Sequence, residues 1–127
     1  GKDIYGEPAQ AVDLEALIKS IGIDDVTVTD PYDIKSTVEA VKHALSHDGP
    51  SVVISRRPCV LLKYVKHGAP YRVNTDKCRS CRSCMKIGCP AISIAGDGKA
   101  QIDFTQCTGC GMCTQMCAFD AIEEGTK

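Results

Sequence analysis

Residues 78–90 read Cys78-Arg79-Ser80-Cys81-Arg82-Ser83-Cys84-Met85-Lys86-Ile87-Gly88-Cys89-Pro90, and residues 107–117 read Cys107-Thr108-Gly109-Cys110-Gly111-Met112-Cys113-Thr114-Gln115-Met116-Cys117. Both open as Cys-x2-Cys-x2-Cys. Cys78, Cys81 and Cys84 map onto Cys107, Cys110 and Cys113 at a constant offset of 29, and Val73 maps onto Ile102 at the same offset. A fourth cysteine closes each copy, Cys89 after four intervening residues and Cys117 after three. Beyond it, Ala91-Ile92 answers Ala121-Ile122. A repeat this short implies a fold with a pseudo-two-fold axis.

The spacing suits cubane iron–sulfur chemistry. Three thiolates on one tight loop can face three corners of a cluster, and the fourth iron needs a ligand from elsewhere. In the bacterial C-x2-C-x2-C-x3-C-P run the fourth cysteine serves the other cluster. Carried over residue by residue, one [4Fe-4S] cluster takes Cys78, Cys81, Cys84 and Cys117, and a second takes Cys89, Cys107, Cys110 and Cys113. Such crossing ties the two copies together, so cluster loss should unfold the domain. Structural zinc uses two Cys-x2-Cys pairs, four ligands in all, and two triplets with two outlying cysteines do not fit that count. Two departures stand out. Met85-Lys86-Ile87-Gly88 is one residue longer than the usual gap, and Ala118 stands where proline is usual. Both predict a looser turn and neither removes a ligand.

Around the cysteines, Tyr71-Arg72-Val73, Ala91–Ile94 and Ala100–Phe104 read as strands, with Asp97-Gly98 as a hairpin signal between the last two. This is a βαββαβ dicluster ferredoxin arrangement over 71–127. With every cysteine engaged, the clusters move electrons and activate no substrate, so no catalytic residue is assigned. Ile87, Ile92, Ile102, Phe104, Met112, Met116, Phe119 and Ile122 would form a dry shell that packs the core and tunes potential. Arg79, Arg82 and Lys86 lie in or beside the first loop. They read either as a solvated face that offsets cluster charge or as a docking patch for an acidic electron carrier.

The remainder bounds the class. The chain has 127 residues, 43% hydrophobic and 24% charged, a globular composition. Its nine cysteines are an odd number with no leader pattern at Gly1–Gly6, so metal or redox chemistry is expected rather than a disulfide framework or export. A net charge of −1 argues against bulk electrostatic binding of nucleic acid, and no apolar run is long enough to span a membrane. A cytoplasmic protein is expected.

Residues 1–62 follow another grammar. Leu14, Leu17, Ile18 and Ile21 have helical spacing, with Asp13 as N-cap and Gly22 as stop. Val26–Thr29 is a short β-branched strand. Ile34, Val38, Val41 and Leu45 mark a second helix, and Ser51–Ser55 reads as a buried strand of a parallel sheet. Two strands make an incomplete α/β layer, and the chain opens on Gly1, so a piece of a longer or processed polypeptide is expected. The whole is α+β, a partial α/β segment followed by the ferredoxin domain, with 63–70 as linker. Cys59 reads as a strand-end core thiol. Arg56 and Arg57 could meet a phosphate or a neighbouring domain, His43 and His47 share a helix face that reads as solvent-exposed, and His67 lies in the linker.

The chain resembles the C-terminal end of the alpha (large) subunit of indolepyruvate:ferredoxin oxidoreductase, a family of thiamine-diphosphate-dependent 2-oxoacid oxidoreductases. The resemblance rests on Asp30-Pro31-Tyr32-Asp33, Asp48-Gly49-Pro50-Ser51-Val52-Val53-Ile54, Arg56-Arg57-Pro58-Cys59 and the long first motif ending Ile87-Gly88-Cys89-Pro90-Ala91-Ile92. It implies an arylpyruvate decarboxylated with thiamine diphosphate and magnesium, coenzyme A as acyl acceptor, and single electrons leaving through two [4Fe-4S] clusters to external ferredoxin. Residues 1–62 would be the tail of the thiamine-binding domain. The family's G-D-G…N-N motif is absent here and would lie upstream, so this stretch should neither bind thiamine nor turn over substrate. The implied partners are the rest of the alpha subunit, a beta subunit and the external ferredoxin. The alternative is a freestanding dicluster ferredoxin with an N-terminal extension.

Overall fold

Asp13 opens the first helix by a side-chain cap: its carboxylate accepts from the Ala16 N–H at 3.1 Å. That helix, α1 (Leu14–Ser20), stops before Gly22, which takes φ +89°. The computed structural model describes residues 1–125; the last two residues of the expected ferredoxin span, Thr126 and Lys127, lie outside the described residues. Contacts divide the chain into two units, 1–31 with 35–56, and 32–34 with 57–127.

The first unit continues with β1 (Asp25–Thr29), α2 (Ile34–Ser46, its first residue grouping with the second unit) and β2 (Ser51–Ser55). β1 and β2 pair in parallel, from Asp25 opposite Ser51 to Thr29 opposite Ser55. The Ser51 hydroxyl donates to the Asp25 carboxylate across the pair. Buried Thr29 keeps its hydroxyl satisfied by Thr37 at 3.2 Å. β2 was expected as a buried strand; Val52, Val53 and Ile54 are only half-buried. A parallel pair needs cover on both faces, and two helices on two strands leave apolar surface open. Leu17, Ile21 and Leu45 are accordingly 51%, 69% and 82% exposed.

The second unit runs β3 (Tyr71–Val73), a 3₁₀ turn (Ser83–Ile87), β4 (Ile92–Ile94), β5 (Ala100–Ile102), α3 (Met112–Gln115) and β6 (Ile122–Glu124). The first helical element is 3₁₀, not α, because the extra residue of the long motif is taken up there. Gly88 ends it at φ +64°, its N–H donating to the Met85 carbonyl. The strand expected over 100–104 stops at Ile102. The Asp103 carboxylate accepts from the Thr105 N–H at 2.8 Å, and that local turn competes with extension.

Each sheet joins the two repeats. β3 pairs antiparallel with β6, Val73 opposite Ile122, and β4 with β5, Ile92 opposite Ile102. The first strand of one copy therefore meets the last strand of the other, twice. The core follows the same symmetry: Cys84 and Cys113, Ile92 and Ile122, Ala91 and Ala121 are all buried. Main-chain bonds repeat too. The Asn74 N–H reaches the Ala121 carbonyl at 2.7 Å, and the Asp103 N–H reaches the Ala91 carbonyl at 2.8 Å.

Candidate metal centre

Each cysteine loop is launched from an Asx turn. The Asn74 side chain accepts from the Asp76 N–H as Asp103 does from Thr105, and the carbonyls of Asn74 and Asp103 then take the N–H groups of Cys78 and Cys107, both at 3.0 Å. The chain next turns through two left-handed residues. In the first loop these are Ser80 (φ +53°) and Arg82 (φ +59°); in the second, at the repeat offset, Gly109 (φ +67°) and Gly111 (φ +74°). One backbone thus serves both loops. Holding a non-glycine residue there costs about 1–2 kcal/mol, so the first loop carries strain the second does not.

Two cavities result. The first, about 20 Å³, has Cys78, Cys81, Cys84 and Cys117 in its wall. The second, about 290 Å³, has Cys89, Cys107, Cys110 and Cys113. Each brings three cysteines of one repeat together with the fourth of the other. Among the described residues no three His, Cys, Asp or Glu side chains converge on a point that would hold one metal ion. A cubane is larger than an ion and spreads its thiolates, so this donor set fits a cluster better than a mononuclear site.

The electrostatics agree with that fit. Burial first, then the neighbouring Cys110 and Cys107 thiols, push the Cys113 thiol up to about 11. Burial, followed by Cys117, Cys78 and Cys81, also raises the Cys84 thiol. Four thiolates crowded against apolar walls need compensating positive charge, which cluster iron supplies. Cys81 goes the other way: the Ser83 backbone N–H, then its side chain, and more weakly Lys86, hold its thiol below the ordinary range. Backbone donors also point at sulfur, from Tyr71 to Cys107 at 3.4 Å and from Ala121 to Cys117 at 3.3 Å.

The expected shell is only partly dry. Ile92 and Ile122 are buried, whereas Phe104 is 72% and Phe119 46% exposed. Arg79, Arg82 and Lys86 stand exposed along the first loop. The expected linker is not free chain. Gly68 packs on Gly109 so closely that a Cβ on Gly109 would lie 2.5 Å from the Gly68 carbonyl carbon. Nothing in the composition of 63–70 signals this contact; the glycine at 109 does. The Asx turns were also missed, although Asn74 and Asp103 stand at the repeat offset.

Outside the cavities, Cys59 is exposed rather than a core thiol, because β2 ends at Ser55 and the chain leaves the sheet. Arg56 pairs with Glu15 at 3.0 Å, and Arg57 stacks 3.8 Å over the Tyr32 ring. His43 and His47 stack on each other at 6.5 Å, and His43 lies 3.7 Å from Asp25.

A family model described as a 4Fe-4S binding domain matches residues 100–123. The indolepyruvate oxidoreductase subunit IorA of Pyrococcus abyssi is 43% identical over 92% of this chain and 19% of its own length. The chain is similar to IorA subunits over nearly all of its own length. That of Thermococcus kodakarensis is 45% identical over 88% of this chain and 18% of its own length. That of Methanothermobacter marburgensis is 38% identical over 98% and 20%. The chain therefore spans about a fifth of the length of the curated relatives it matches.

Proposed function

We propose that the chain is the electron-transfer end of an indolepyruvate:ferredoxin oxidoreductase alpha subunit. Single electrons come from arylpyruvate oxidation elsewhere in the parent enzyme and leave to an external ferredoxin. Two [4Fe-4S] clusters, held by Cys78, Cys81, Cys84 and Cys117 and by Cys89, Cys107, Cys110 and Cys113, would supply one-electron redox chemistry when bound. The observation that carries this reading is the composition of the two cavity walls, each with three cysteines of one repeat and the fourth of the other.

The chain's own residues wall the cavities largely with apolar side chains, present backbone donors to sulfur and tie the two copies through both sheets. In this reading 1–62 is the end of a thiamine-binding α/β domain, 63–70 connects, and 71–127 is a βαββαβ ferredoxin domain. Thiamine diphosphate, magnesium, the remaining alpha subunit and a beta subunit belong to the parent enzyme. The match to IorA runs across both units, over 92% of the chain, which supports a subunit segment over a freestanding carrier. A cytoplasmic location is part of the proposal; among the described residues no helix is long and apolar enough to cross a membrane.

Anaerobic preparation, iron and acid-labile sulfide assay, and EPR after dithionite reduction test it. About eight iron and eight sulfide per chain with a spin-coupled spectrum are expected. Half that content, or zinc in place of iron, would overturn the two-cluster assignment.

A further inference from the structure

The two cysteine loops share a backbone and differ in what stands on it. The second loop has glycine at both left-handed positions and is covered by its own chain. The Gly68 carbonyl carbon lies 2.5 Å from where a Gly109 Cβ would sit, and the Tyr71 hydroxyl 3.2 Å from a Gly111 Cβ. The first loop is more open: its nearest glycine neighbour, Gly98 of the hairpin turn, would bring a Cβ only to 4.0 Å from the Ser80 hydroxyl. Cys81 is exposed, as are Arg79, Arg82 and Lys86, and among the described residues none of these three cations forms an ion pair. Arg82 occupies a position, φ +59°, that favours glycine and is filled by glycine in the other copy. Charge balance alone could be met by a cation at an unstrained site. The strain is kept where it sets a guanidinium beside the exposed cysteine. Phe119, 46% exposed, lines the same small cavity as Arg79 and Arg82, placing an apolar centre within a basic rim.

We propose that Arg79, Arg82 and Lys86, around Phe119 and Cys81, form the docking face for an acidic electron-carrier protein, which approaches the first loop and not the covered second one. The proposal rests on the cluster reading above. Each productive encounter oxidises this chain by one electron and reduces the carrier by one. The cations steer the carrier and the aromatic ring anchors it.

The test uses the full chain loaded with iron and sulfide, and a purified acidic ferredoxin as probe. Association is measured by biolayer interferometry over a salt series, after iron assay of every variant. The double variant Arg79→Glu, Arg82→Glu is expected to keep its iron, bind about tenfold more weakly and lose most of the salt dependence. The charge-matched variant Lys35→Glu, Lys42→Glu, on α2, is expected to bind as the unaltered chain does. If the glutamate pair disturbs iron loading, Arg82→Gly, which the backbone favours, should keep the clusters and still bind about threefold more weakly. Unchanged binding and salt slope in iron-replete variants, or equal weakening by both charge-matched pairs, would overturn the docking face. A deficit of iron in the unaltered chain would instead overturn the cluster reading.

Discussion

The two repeats begin alike and end differently. Asn74 and Asp103 start the same turn, Ser80 and Gly109 take the same left-handed conformation, and Cys84 and Cys113 reach the same depth. Around the second loop the chain folds back, so Gly109 has to be glycine. Around the first loop the approach is looser, and Ser80 and Arg82 stay exposed where the sister loop meets backbone. Shared conformation is thus imposed by the fold and the cysteine spacing, while residue identity at each position is set by what lies over it. A single backbone can carry one loop packed against its own chain and one left exposed.

The largest expected effect comes from the covered side. Gly109→Ala meets both a positive φ and the Gly68 carbonyl carbon 2.5 Å away, with no flexible side chain to yield. We expect a loss of about 2–4 kcal/mol and faster iron release, read by thermal melts and bleaching of cluster absorbance. Its counterpart Ser80→Ala should change the melt by less than about 0.5 kcal/mol. Equal costs at the two positions would break the comparison.

Iron removal should be nearly as damaging. Anaerobic chelation is expected to abolish cooperative unfolding of the second unit, because the iron–thiolate bonds that would join the two repeats are lost. Circular dichroism before and after chelation checks this; an unchanged transition would sink the idea that clusters hold the copies together.

Relief of strain should act in the opposite direction. Arg82→Gly is expected to raise stability by about 0.5–1 kcal/mol, the left-handed penalty less the added chain entropy. A lower melting temperature would mean that Arg82 contributes packing the structure does not display.

The smallest effect concerns the β3–β6 edge. Lys77 at 2.7 Å, with Asn74 and Arg72, holds the Glu123 carboxylate below the ordinary glutamate range. A depressed folded pKa stabilises above the unfolded value and is lost as pH falls through the folded one. Glu123→Gln should therefore lower the melting temperature slightly at neutral pH and not at all below the carboxylate range. A deficit that persists in acid would point to geometry instead of charge.

Much of this was legible in the residues. The offset of 29 announces the symmetry, Asp13 and Gly22 bound their helix, and Asp97-Gly98 turns the hairpin with Gly98 at φ +81°. The eight repeat cysteines carry the spacing from which the cavity walls could be anticipated. What stayed hidden depends on tertiary or local competition. The extra residue before Cys89 gives no sign that it will be absorbed as 3₁₀. Ser80 and Arg82 do not look like left-handed residues, and only their alignment with Gly109 and Gly111 reveals it. Cys59 follows an apolar strand, yet Pro58 and two arginines lead the chain out of the sheet before it.

Crossed ligation is the claim on which the rest depends, and paired cysteine replacement tests it most directly. Iron and sulfide would be measured in Cys84→Ser, Cys117→Ser and in Cys84→Ser, Cys89→Ser. In the first pair both changes fall on one cluster, so about four iron should remain with the spectrum of an isolated cluster. In the second pair both clusters are struck, and little iron should remain. The reverse pattern, with iron retained in the second pair and lost in the first, would contradict crossed ligation.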